Sequence, residues 1–138
     1  MKKSLIIIIS LMSLPAWAVT DDFTQKVADL SVGRIVERNS LEYERAKIAL
    51  SSVESLCEDK NAVKTADGSE AVSKYLREHG QPSNIIDVLE SLATLKGITS
   101  QTCNDILVQY AQNRMSGATH TDALVRLNSL YKILEKTK

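Results

Sequence analysis

Cys57 and Cys103 have the most chemistry to offer in this chain, and their placement decides what that chemistry is. Each closes or opens an apolar helical stripe. Ala46, Ala49, Leu50, Val53, Leu56 and Cys57 follow the i, i+3, i+4, i+7 spacing of one buried face. Cys103 begins a second stripe with Ile106, Leu107 and Tyr110. Two thiols on two core-facing stripes are placed to meet, and they read as a disulfide. Closing that loop of 46 residues is worth roughly 4 kcal/mol in the chain-entropy model. The alternative is a pair of buried thiols serving as small hydrophobes. A disulfide removes the free thiol that Cys–His nucleophilic catalysis needs.

The other reactive types form no constellation. His79 and His120 are the only histidines, and neither stands at a zinc-ligand spacing such as His-x3-His. Their convergence with Glu78 or Asp122 is weighed well below a helix C-terminal His79 and a cap-region His120. Serine is plentiful, yet there is no Gly-x-Ser-x-Gly elbow. The carboxylate pairs Glu42/Glu44 and Glu54/Glu58 lie on a charged helix, where such pairs are solvated. There is neither a phosphate-binding glycine loop nor a Cys-x-x-Cys-His haem motif. Tyr110 and Tyr131 sit on apolar stripes and read as core. The expectation is therefore no catalytic residue, no metal, no cofactor and no enzyme activity.

What remains is surface. Arg34, Glu37 and Arg38 form one charged cluster; Asn113 and Arg114, at a helix–Gly–helix corner, form another. Arg34, Arg38, Asn113 and Arg114 are the candidate partner contacts. For each cluster the competing reading, a solvated face or an ordinary corner, weighs more.

The elements that would position these residues follow an address. Lys2 and Lys3 precede an apolar run from Leu5 to Leu14, then Pro15 and Ala16-Trp17-Ala18. This pattern predicts a signal peptide over residues 1–18, cleaved after Ala18, and a periplasmic destination. The run is shorter than the 20 or so residues of a bilayer-spanning helix, so no stable membrane anchor is expected. Export to an oxidising space agrees with the disulfide. Without Lys2 and Lys3 the remaining chain has 15 basic against 17 acidic residues, leaving no footprint for nucleic acid. Residues 19–138 have the length of a single domain.

Along that domain, Phe23, Val27 and Leu30 mark a first helix. Gly33 argues for two segments meeting near Asn39, rather than one kinked helix. Asn39 with Glu42 has capping-box spacing. Asp59 to Gly68, with Asp67-Gly68 as a turn dipeptide, reads as a linker before a short helix through Val72, Tyr75 and Leu76. Ser83 caps a helix from Asn84 to Lys96, the most apolar of the chain and so placed at the centre. Thr99 or Ser100 opens the next helix, and Thr119 with Asp122 the last. That last helix carries a stripe of Leu124, Leu127, Leu130, Tyr131 and Leu134. Gly80, Gly97 and Gly117 stand where helices must stop. The prediction is an all-α fold: five or six antiparallel helices in a small bundle stapled by one disulfide.

With no catalytic set, the expected role is that of an exported helical interaction protein, an inhibitor, immunity or accessory factor for one protein partner. Two alternatives are a periplasmic chaperone or envelope-stress factor, and a carrier of a small apolar ligand. The apolar excess from Phe23 to Val36 fits either an isologous homodimer or a buried central helix.

Overall fold

The computed structural model describes residues 19–98 and 101–136; the expected signal peptide and the expected caps Thr99 and Ser100 lie outside them. Six α-helices follow in order: α1 Asp21–Val32, α2 Leu41–Leu56, α3 Ala62–Glu78, α4 Ile85–Glu90, α5 Cys103–Met115 and α6 His120–Lys136. A 3-10 segment, Ser91–Leu95, continues α4. The described residues contain no strand.

The expected central helix is at the centre. Ile85, Ile86, Val88, Leu89, Leu92 and Leu95 are all buried, and α4 with its 3-10 extension packs against each of the other five helices. Its two halves differ for a local reason. The Ser91 hydroxyl donates to the Val88 carbonyl at 2.6 Å, and the Thr94 hydroxyl donates to the Ser91 carbonyl at 2.7 Å. Such back-bonding competes with the α-helical ladder and goes with the tighter winding. The cap is Asn84, whose side chain accepts from the Asp87 amide, and not Ser83. Likewise Ser40, in place of Asn39, caps α2 by accepting from Tyr43 N. In both cases the neighbouring residue has the extended backbone that a cap requires.

Gly33 ends α1 in the left-handed conformation, so the first region is two helices. The Asp67–Gly68 turn is overturned: both residues lie inside α3, a helix of 17 residues capped by Asn61. Its buried face is Ala62, Thr65, Ala66, Ser69, Ser73 and Leu76. Small polar residues do not register as an apolar stripe, yet they let α3 approach α4 and α5 closely, and that packing overrides the turn preference. Tyr75, expected on the stripe, is exposed.

Two further stripes are narrower than expected. On α6, Leu127 and Tyr131 are buried and Leu124 is half-buried, but Leu130 and Leu134 face outward. On the first segment, Val27 and Val36 enter the core while Leu30 and Ile35 stay exposed; α1 lies at the periphery, so it is not a buried central helix. The core is otherwise one continuous cluster drawn from every helix.

The cystine forms as expected. Cys57 closes α2, Cys103 is the first residue of α5, and their Cα atoms are 5.4 Å apart, within the range a disulfide spans. Thr102 and Asp105 make a complete capping box beside it.

Candidate functional site

The helix at the centre of the molecule carries only two charges, Asp87 and Glu90. Ile85, Ile86, Val88 and Leu89 take the core-facing positions, so the i, i+3 pair falls together on the remaining edge. Two other helices bring basic groups to that edge. On α2, Arg45 lies beside the Ala46–Ala49 face, from which its guanidinium reaches across. On α6, Thr119 accepts from the Asp122 amide at 3.1 Å and sets His120 as the first helical residue.

Arg45 bonds both carboxylates. Its Nη2 donates to Asp87 Oδ1 at 3.0 Å and also to Glu90 Oε1, while its Nε donates to Glu90 Oε2 at 3.2 Å. From the other side, His120 Nε2 stands 3.4 Å from Glu90 Oε1 and 3.8 Å from Asp87 Oδ1. His120 Nδ1 is 2.8 Å from the Tyr110 hydroxyl, and Arg114 Nη1 donates to that hydroxyl at 3.2 Å. With one phenol lone pair taken by Arg114, the phenol proton is free for His120 Nδ1. Nε2 is then the N–H that faces the carboxylates.

The electrostatics follow this geometry. Burial pushes the Glu90 carboxyl up, but bonds from His120 and Arg45 outweigh it and leave it below the usual carboxylate range. The Glu90 bond holds the Arg45 guanidinium above its ordinary value, against burial. Burial raises the Tyr110 phenol, with Arg114 opposing. The cluster is an ordered polar seam through four helices, at the point where a neutral core meets solvent.

A cleft opens on one side of the seam, between α2, α4 and α6. It encloses about 520 Å³. Ala49, Leu89 and Leu124 give it apolar walls, exposed Ile48 stands at its rim, and Arg45, Glu90 and His120 close one end. A shallower hollow of about 250 Å³, lined by Ala93, Thr94, Leu124, Val125 and Asn128, extends the depression along α6. A separate cavity of about 360 Å³ lies over the cystine, among Glu58, Asp59, Lys64, Thr102 and Asn104.

The expected contact residues are placed unevenly. Arg34 and Arg38 are exposed on the α1–α2 connection; Arg38 Nη2 is 3.0 Å from Asp22 Oδ1, and Arg34 is 4.0 Å from Glu42. Asn113 is half-buried and donates to the Gln109 carbonyl. Arg114 is 4% exposed and corrects the expectation of a surface contact. Its Nε donates to the Ala118 carbonyl at 2.9 Å, its Nη1 to Tyr110, and its Nη2 to the Pro82 carbonyl. The guanidinium ties the α5–α6 corner to the chain entering α4, where a buried charge finds enough acceptors. His79 caps α3 as expected, its Nδ1 2.8 Å from the Tyr75 carbonyl. His120, by contrast, converges with Asp87 and Glu90 and not with Asp122 or Glu78. The signal for it was present in the sequence: two charges isolated in an apolar helix need partners brought from elsewhere.

The chain matches no family model, no curated protein and no solved structure, so a functional reading rests on this geometry.

Proposed function

We propose that this is an exported, periplasmic helical interaction protein that docks one protein partner, as an inhibitor, immunity or accessory factor, and that it is not an enzyme. The observation that carries the reading is the cleft. Its apolar walls and charged end combine an anchor pocket with polar groups that set orientation, the anatomy of a docking hot spot. Its continuation along α6 gives room for a segment of chain and not only a single side chain. The residues 1–18, with their basic start, apolar run and Ala-x-Ala end, support export. The cystine is compatible with it, and among the described residues no helix is long and apolar enough to cross a membrane.

Crosslinking of the tagged protein in its own periplasm, followed by mass spectrometry, tests this reading against an Ala93→Arg variant. Ala93 is exposed in the cleft, so the substitution fills the groove without entering the core. One stoichiometric partner, lost in the variant, is the expected result. A partner retained at full yield by the variant rules out the cleft as the docking face. Many unrelated partners would favour a chaperone.

The same cleft favours a second reading, a carrier of a small apolar ligand, because its volume lies within the few hundred Å³ typical of ligand pockets. Organic extraction of protein purified from its native source distinguishes the two: a bound small molecule recovered at near one per chain supports the carrier.

A further inference from the structure

Asp87, Glu90 and His120 each offer one ligand atom, and the three atoms lie within 4.8 Å of one another. We propose that they form a divalent-cation site of the zinc class, gated by Arg45, whose guanidinium takes the cation's place until it swings out. Four observations bear on it.

The first is spacing. Zinc held at 2.0–2.2 Å by tetrahedral nitrogen and oxygen ligands separates them by roughly 3.3–3.6 Å. The His120 Nε2 to Glu90 and Asp87 distances are 3.4 and 3.8 Å, near that range, and all three ligand atoms lie within 4.8 Å of one another, so the carboxylates close on the cation by rotation of their side chains. The second is the support of the imidazole. A ligating histidine is oriented through its other nitrogen by an outer partner. Zinc on Nε2 requires the other tautomer, with the imidazole proton on Nδ1, where it donates to the free lone pair of the Tyr110 oxygen, 2.8 Å away and already bonded by Arg114.

The third is charge. Two carboxylates share one guanidinium, whose Nη2 bonds both of them. A single guanidinium charge thus sits between the two carboxylates. A dication there neutralises both carboxylates, with the imidazole as a neutral ligand. The fourth is access. The Arg45 side chain is 38% exposed, so it can turn into solvent without disturbing the core. Arg45, Glu90 and His120 all line the cleft, so the fourth coordination position opens onto it for water or a ligand donor. One imidazole with two carboxylates suits zinc better than magnesium or calcium, which take oxygen ligands in larger number. The site stands independently of the docking reading.

Zinc titration of the untagged, oxidised protein by calorimetry tests the proposal. Wild type is expected to bind one zinc per chain. Arg45→Gln removes the competing cation and is expected to tighten binding by about tenfold or more. His120→Ala added to Arg45→Gln is expected to weaken it by at least about tenfold. Glu90→Gln is an isosteric second variant, should the alanine variant fail to fold by circular dichroism. His79→Ala, at an exposed histidine remote in sequence from the cluster, should leave binding unchanged. Visible d–d bands of tetrahedral Co2+, lost with His120, give a readout independent of affinity. The proposal is overturned if wild type binds no zinc, if Arg45→Gln does not tighten it, or if neither His120→Ala nor Glu90→Gln weakens it.

Discussion

The helices α2 and α5 are tied twice, by unlike devices. At one end Cys57 and Cys103 join them covalently. Towards the other, Arg45 on α2 and Tyr110 and Arg114 on α5 meet through Asp87, Glu90 and His120. Both helices pack on the 3-10 segment between these ties. The cystine acts mainly on the unfolded chain, by shortening its accessible conformations, and needs little from its surroundings. The polar seam acts only in the native state, and each member depends on the next: Arg114 positions Tyr110, Tyr110 positions His120, and His120 and Arg45 hold the carboxylates. A covalent tie tolerates its environment. A hydrogen-bonded seam is made by its environment, and so its strength depends on pH.

The comparison can be broken most forcefully at the covalent end. Reduction, or Cys57→Ser with Cys103→Ser, is expected to remove about 4 kcal/mol and to lower the thermal midpoint by order 10 °C or more. Denatured, unreduced protein should show no free thiol in an Ellman assay. An unchanged midpoint on reduction would mean that the native contacts alone fix both ends.

The next effect is expected inside the seam. Arg114→Ala removes the donor from the carbonyls of Pro82 and Ala118 and from the Tyr110 hydroxyl, which keeps only His120, and is expected to cost about 3 kcal/mol by denaturant unfolding. Arg114→Lys keeps the charge but not the three-way fork, and should recover only part of that loss. Equal stability for all three proteins would mean that the buried guanidinium does not organise the corner.

The smallest effect is the acid limb of stability. Glu90 is held below its ordinary value in the folded state. Its contribution is therefore complete above the unfolded carboxylate range and is lost as pH falls through the lower, folded value. Glu90→Gln should flatten that limb and leave stability less dependent on pH below about 4.3. The cystine does not titrate, so the reduced protein should keep the limb. A limb unaltered by Glu90→Gln would assign acid sensitivity to another carboxylate.

Much of the frame was legible because its signals are local. Gly80, Gly97 and Gly117 were expected at helix stops, and all three have positive φ. Thr119 was expected to cap α6, and it does. The α2 face with Cys57 was read correctly, apart from Leu56, which is only half-buried. The failures also have local causes. Asp67–Gly68 carries a turn preference that packing overrode, because Thr65, Ser69 and Ser73 count as polar in a pattern and as small in a core. The α6 stripe was drawn through Leu130 and Leu134, although neither is among the buried residues of that helix.

By itself the sequence determined the helix stops at glycine, the all-α class, and the pairing of its only two cysteines. The first two depend on backbone conformation and on contacts within one or two turns, and the pairing follows from there being only two cysteines. Only the tertiary structure decided that Arg114 is an internal tie and that His120 is a partner of Asp87 and Glu90. His120 stands 30 and 33 positions from Glu90 and Asp87, and Arg114 stands 32 from Pro82. Helical periodicity says which face a side chain takes but not which helix lies opposite. A charge on an amphipathic edge therefore reads the same in sequence whether it meets water or the matching charge of another helix.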